Sequence, residues 1–127
     1  MTQPIESVAI VGAGNMGSGI AQKTAQEMFQ VQMVDREEQW VNRGQKIISD
    51  FLEEAIERRI FSQSQVEDIK ARISGVIGVD NVDPETDLVI EAVFEDFNVK
   101  SDVFQILDEN CGDQTILASN TSSLSVN

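Results

Sequence analysis

The sequence predicts an α/β domain, a doubly wound, mostly parallel sheet from which a helical hairpin protrudes. Three observations predict it: short apolar runs of β-branched type alternate with stretches of helical period, a glycine cluster directly follows the first run, and one long helical-period stretch, 37–72, contains no strand. Strands that alternate with helices build parallel sheets through right-handed crossovers. At 127 residues and 14.0 kDa, with 41% hydrophobic residues, the chain is the size of one domain and long enough to bury a core.

Residues 7–11 form an apolar run that stops at glycine, as a buried parallel strand does. Across 16–28, Ile20, Ala21, Thr24, Ala25 and Met28 recur at helical spacing, so the glycine cluster opens a helix. A second strand, 31–35, closes on an acid. The stretch 37–61 carries Trp40, Val41, Ile48, Phe51, Leu52, Ala55 and Ile56 at helical spacing, with Gly44 as a candidate kink. Ser64 with Glu67 three residues on has a capping-box pattern and is read as the start of a second helix to about Arg72. These two helices make the hairpin, and Phe51, Leu52, Ile56 and Phe61 are read as its core rather than as a groove. Then follow a glycine-interrupted strand at 73–79, a polar turn or short helix at 80–87 and a fourth strand at 88–93. A helix at 97–110, stopped by Cys111-Gly112, and a fifth strand at 115–119 complete the pattern. The hydroxyl-rich end, 122–127, reads as the start of another helix, so the expectation is a single domain, 1–127, whose C-terminal substrate and dimerisation domain is absent.

Acidic residues outnumber basic ones 22 to 9, for a net charge of -13, which disfavours nucleic acid and anionic membrane surfaces as partners. Cys111 alone makes no internal disulfide, the N-terminus lacks a signal-peptide pattern, and no apolar run approaches the roughly 18 residues of a membrane span. The expectation is a soluble cytoplasmic protein without a metal site. Histidine is absent, which removes the commonest general base from any mechanism confined to this chain.

Gly12-Ala13-Gly14-Asn15-Met16-Gly17 fits G-x-G-x-x-G between a strand and a helix, the context that motif requires. Gly12 makes the tight turn, Gly14 admits a pyrophosphate close to the backbone, and Gly17 lets helix and strand pack closely. The helix N-terminus then offers N–H groups and a positive dipole end to the phosphates. Asp35 ends the second strand at the place where a carboxylate accepts hydrogen bonds from the adenosine ribose hydroxyls and repels a 2′-phosphate, so the cofactor is read as NAD in a Rossmann-type domain. An NADP reading would need Asp35 turned away and Arg36 engaged instead.

Beyond this fingerprint, residues 8–22, then 87–95 with Val99 and Lys100, then 118–124, resemble the NAD-binding domain of L-3-hydroxyacyl-CoA dehydrogenases. The resemblance covers nearly the whole chain, although the hairpin matches in pattern more than in residues. It implies oxidation of the 3-hydroxyl of an acyl-CoA with hydride transfer to NAD, in a protein that dimerises through a further domain. It implies that the loop from Gly12 to Met16 holds the pyrophosphate and that Asp35 holds the ribose. Val93, Phe94, Glu95 and Lys100 are implied on the nicotinamide side, with Asn120 and Ser122 beside it and Ser122 also touching the substrate hydroxyl. Arg58 and Arg59 are candidates for the CoA phosphates. Other readings stay open for several of these: a surface ion pair for Glu95 and Lys100, a helix cap for Ser122, a dipole-complementing helix end for the two arginines.

The family's catalytic histidine and the glutamate that orients it have no counterpart here, so the chain alone is expected to bind cofactor and turn over little. Met28 stands where the family places a glycine to end the first helix, and a left-handed residue there costs about 1 kcal/mol more than glycine. The alternatives are a non-catalytic NAD-binding or sensing module and a related NAD-dependent dehydrogenase of sugar acids.

Overall fold

The computed structural model describes residues 5–92, 105–107, 109 and 115–119. Five strands, β1 (Ser7–Val11), β2 (Gln30–Asp35), β3 (Ile73–Ile77), β4 (Leu88–Glu91) and β5 (Ile116–Ser119), form one sheet in the order β3-β2-β1-β4-β5. Every pairing is parallel, and β1 is central, with Val8 facing Val31 on one side and Leu88 on the other. The strand order therefore reverses between β1 and β4. That reversal opens a crevice at the carboxyl ends of the strands, where open α/β sheets bind their ligands.

Both faces of the sheet are covered, because successive strand side chains point to opposite sides. Val8, Ile10, Val31 and Met33 pack beneath α1 (Asn15–Gln26), α2 (Glu38–Glu57) and α3 (Gln63–Ala71), against Ala21, Ala25, Ile48, Leu52, Val66 and Ile69. On the other face, Ala9, Val11, Val34 and Val89 cluster with Val82 and with Leu107, which lies in a helical stretch at 105–107. The doubly wound expectation holds. Of the helix expected at 97–110, only those residues and 109 fall within the described part, and all of them are helical.

Three local expectations are corrected. The second hairpin helix starts at Ser62, not Ser64: the Ser62 hydroxyl accepts from the Gln65 N–H at 3.1 Å, and the Gln65 side-chain oxygen accepts from the Ser62 N–H at 2.8 Å. Two overlapping capping patterns compete here. The earlier one places Phe61 and Val66 at the flanking positions of a hydrophobic staple, and both join the core. The first hairpin helix stops at Glu57 rather than running to residue 61, because Arg59 turns left-handed at φ 60° and the Ile60 N–H bonds back to the Ala55 carbonyl at 2.8 Å. Gly44 is not a kink. The α2 helix is continuous, Gly44 is buried, and a Cβ there would lie 2.7 Å from the Ala13 carbonyl oxygen, so the glycine lets α2 pass close against the loop after β1.

At the amino edge of the sheet, Asp87 ties β4 to β1. Its carboxylate accepts from the Glu6 N–H at 2.9 Å, from the Ser7 N–H at 3.1 Å and from the Ser7 hydroxyl at 3.2 Å. The Glu6 backbone bond above all, then that of Ser7, holds the carboxyl below its ordinary value of 3.8, against a smaller opposing effect of burial.

Candidate cofactor site

Gly12 ends β1 at φ 114°, a conformation that only glycine adopts cheaply. Its N–H donates to the Val34 carbonyl at 2.6 Å, so the positive φ falls where the pairing with β2 ends. Gly17 packs on this turn: a Cβ at Gly17 would overlap the Gly12 carbonyl, so no side chain fits. Gly14 is different. It is exposed, and nothing lies within 4 Å of where its Cβ would be, which leaves open space over the loop backbone. Gly14 also serves as N-cap of α1 with no side-chain capping bond, and the first turn of α1 holds no acid. An uncapped, acid-free helix start beside open backbone suits a pyrophosphate.

Asp35, half-buried at the carboxyl end of β2, lies within hydrogen-bond reach of this loop: one carboxylate oxygen accepts from the Ala13 N–H at 3.0 Å, and the other accepts from the Arg36 N–H at 2.8 Å. Ala13 is buried, whereas Asn15 and Met16 are exposed at the loop's outer side, as is Arg36. The structure thus gathers Gly12, Ala13, Gly14, Asn15, Met16, Gly17 and Asp35 at one sheet edge. The open backbone at Gly14 and the carboxylate at Asp35 have the chemistry that a dinucleotide's phosphates and ribose would need. Among the described residues no group of histidines, cysteines and acids could hold a metal, and no helix is long and apolar enough to cross a membrane.

Val93, Phe94, Glu95, Lys100, Asn120 and Ser122 lie outside the described residues. The strands that precede them in sequence, β4 and β5, end at the same edge of the sheet, where Glu91 aligns with both Val11 and Ser119. Glu91 itself is fully buried. An acid inside the apolar run 88–93 is the sequence signal for this buried position.

Arg58 and Arg59 occupy the turn between α2 and α3, and Arg58 forms a 2.7 Å ion pair with Glu54. Beside that turn runs a groove of about 480 Å³ between α1 and the hairpin, lined by Asn15, Ser18, Gln22, Lys23, Phe51 and Phe61 among others. Leu52 and Ile56 belong to the core as expected, but Phe51 is 55% exposed along this groove. Phe51 is therefore a correction: it lies at the edge of the buried stripe of α2 and lines the groove instead of the core.

The family described as the 3-hydroxyacyl-CoA dehydrogenase NAD binding domain matches this chain over residues 7–127. A probable 3-hydroxybutyryl-CoA dehydrogenase of Bacillus subtilis is 37% identical over 122 residues, which cover 96% of this chain and 42% of the relative. The 3-hydroxybutyryl-CoA dehydrogenase of Clostridioides difficile is 34% identical over 119 residues, 94% of this chain and 42% of its own. The crystal structure of (S)-3-hydroxybutyryl-CoA dehydrogenase PaaH1 from Ralstonia eutropha superposes with a TM-score of 0.88 at 36% identity, over 94% of this chain and 42% of that one. The chain spans less than half the length of these relatives. With a parallel sheet reversing beside β1, an open glycine loop, an acid closing β2 and this match over nearly all its length, the chain belongs to the family of NAD-binding domains of 3-hydroxyacyl-CoA dehydrogenases.

Proposed function

We propose that this protein is the cofactor-binding portion of an enzyme that oxidises the 3-hydroxyl of an L-3-hydroxyacyl-CoA to the 3-ketoacyl-CoA. The observation that carries the reading is the meeting of the open Gly14 loop with the Asp35 carboxylate at one sheet edge. Bound NAD supplies a hydride acceptor for the substrate's hydroxyl carbon. The chain's own residues bind and orient: the loop and the start of α1 take the pyrophosphate, Asp35 takes the adenosine ribose, and Val93, Phe94, Glu95, Lys100 and Asn120 surround the nicotinamide half. Ser122 contacts the substrate hydroxyl. The proton leaving that hydroxyl needs a base, and a chain without histidine has no imidazole to offer.

The acyl-CoA is assigned to the groove between α1 and the hairpin, with Arg58 and Arg59 toward its phosphates. The apolar wall at Phe51 and Phe61 supports this, as do the names of the relatives. The complete enzyme is placed in the cytoplasm, in fatty-acid oxidation or hydroxybutyryl-CoA metabolism, as a homodimer that pairs outside this domain.

Calorimetric titration tests the cofactor reading. NADH is expected to saturate one site, NADPH to bind at least about tenfold more weakly, and Asp35→Ala to weaken NADH by about ten- to a hundredfold, the range for losing hydrogen bonds to a charged group. Equal binding of the two nucleotides would remove Asp35 from the site. No turnover of 3-hydroxybutyryl-CoA is expected from this chain, and measurable NADH production would place the base elsewhere than in an imidazole.

A further inference from the structure

We infer that Asp35 is a positioning residue for the phosphate loop as well as a ribose acceptor, so that one carboxylate shapes half of the site and reads the other half. The inference rests on the NAD reading for its ligand and on the loop's own geometry for its mechanism.

An ionised carboxylate offers about four acceptor directions. Two of those on Asp35 are filled by backbone donors, the N–H of Ala13 at 3.0 Å and the N–H of Arg36 at 2.8 Å. Consecutive loop residues are thereby hung on consecutive residues of β2: Gly12 on the Val34 carbonyl, Ala13 on the Asp35 side chain. The anchor is itself fixed, since the Asp35 carbonyl accepts from the Gly78 N–H at 2.8 Å and so ties β2 to the residue after β3. On its far side Ala13 meets α2 at Gly44, where no Cβ would fit. Ala13 is 1% exposed with the carboxylate in place, so its N–H depends on Asp35 for its bond, and the isosteric Asp35→Asn would leave that buried donor without an acceptor or deprive the Arg36 N–H of its own. The loop would move to recover a bond, and the Gly14 backbone that faces the pyrophosphate would move with it.

Two acceptor directions remain on Asp35, and the adenosine ribose has two hydroxyls to fill them. Asparagine cannot replace this arrangement. It keeps one oxygen, and its amide nitrogen would face the N–H of Ala13 or of Arg36, donor against donor. Asp35→Asn is therefore a severe change at this position despite its matching shape.

The test uses this chain, NADH and the NADH analogue whose adenosine ribose lacks both hydroxyls, with Asp35→Ala and Asp35→Asn each shown to be folded by thermal melting. A ribose acceptor alone would make both variants bind the dideoxy analogue as well as the native chain does. A positioning role predicts that both lose about tenfold or more on the analogue, the scale of one charge-assisted hydrogen bond. In the absence of ligand, amide exchange at Ala13 is expected to quicken by about tenfold or more in both variants. Unchanged affinity for the analogue, or unchanged exchange at Ala13, overturns the inference. If the native chain binds no NADH, the NAD reading fails, and the exchange measurement alone decides whether Asp35 holds the loop. Should Asp35→Ala not fold, the isosteric Asp35→Asn carries both measurements.

Discussion

Met28 and Arg59 show how much conformational cost single residues carry here. Each follows the end of a helix with φ at 78° and 60°, in the left-handed region. In both, the next N–H reaches back to the helix, Phe29 to the Thr24 carbonyl at 3.4 Å and Ile60 to the Ala55 carbonyl at 2.8 Å. The bonding needs that backbone whatever the side chain, and only glycine enters it without steric penalty. Met28 is 71% exposed, so little packing is lost with its side chain. Met28→Gly is expected to raise stability by about 0.5–1 kcal/mol, read from urea unfolding at constant m. A loss of stability would mean that the methionine makes a contact worth more than its strain.

Among the elements, α2 couples the hairpin to the phosphate loop through Gly44. Alanine there would improve helix propensity by about 1 kcal/mol but place a methyl 2.7 Å from the Ala13 carbonyl and 3.0 Å from the Met33 side chain. Overpacking of this kind costs about 1–3 kcal/mol. Gly44→Ala is therefore expected to lower stability on balance and to weaken NADH several-fold, with calorimetry and denaturation reading the two effects separately. The α3 cap gives an independent check: Ser62→Ala should cost about 1 kcal/mol, whereas Ser64→Ala, inside the helix, should cost none. These elements also show what a sequence discloses. The strands, the glycine loop and Asp35 were legible because each is signalled within a few residues by an apolar run, a turn or a cap. The choice of Ser62 over Ser64, the role of Gly44, the exposure of Phe51 and the bond from Ala13 to Asp35 were not, because each depends on a contact with a segment distant along the chain. The resemblance to the dehydrogenase family, carried by short motifs, identifies the family but holds no information on those contacts.

For the whole molecule, the charge of -13 and the Asp87 tie set how stability responds to solution conditions. Self-repulsion among surface carboxylates is screened by salt, with a Debye length near 8 Å at about 0.15 M, so the melting temperature is expected to rise on going from low to physiological ionic strength. Asp87 acts on the acid side. Because its folded value lies below the ordinary 3.8, its stabilisation is fully present above about pH 4 and is lost as the pH falls through the folded value. The stability difference between the native chain and Asp87→Asn should then be constant near neutrality and shrink below pH 4 in urea titrations; a difference that persists unchanged at low pH would deny the carboxylate its role.

The central place of β1 also orders events in time. Its turn meets β2 after only 22 residues, at Ala13 and Asp35, while its start waits for Asp87, 80 residues on. Closing the longer loop costs more chain entropy and slows the step that depends on it. By loop entropy alone, β1 is expected to pair with β2 before β4, so the crevice between β1 and β4 is expected to form late in folding.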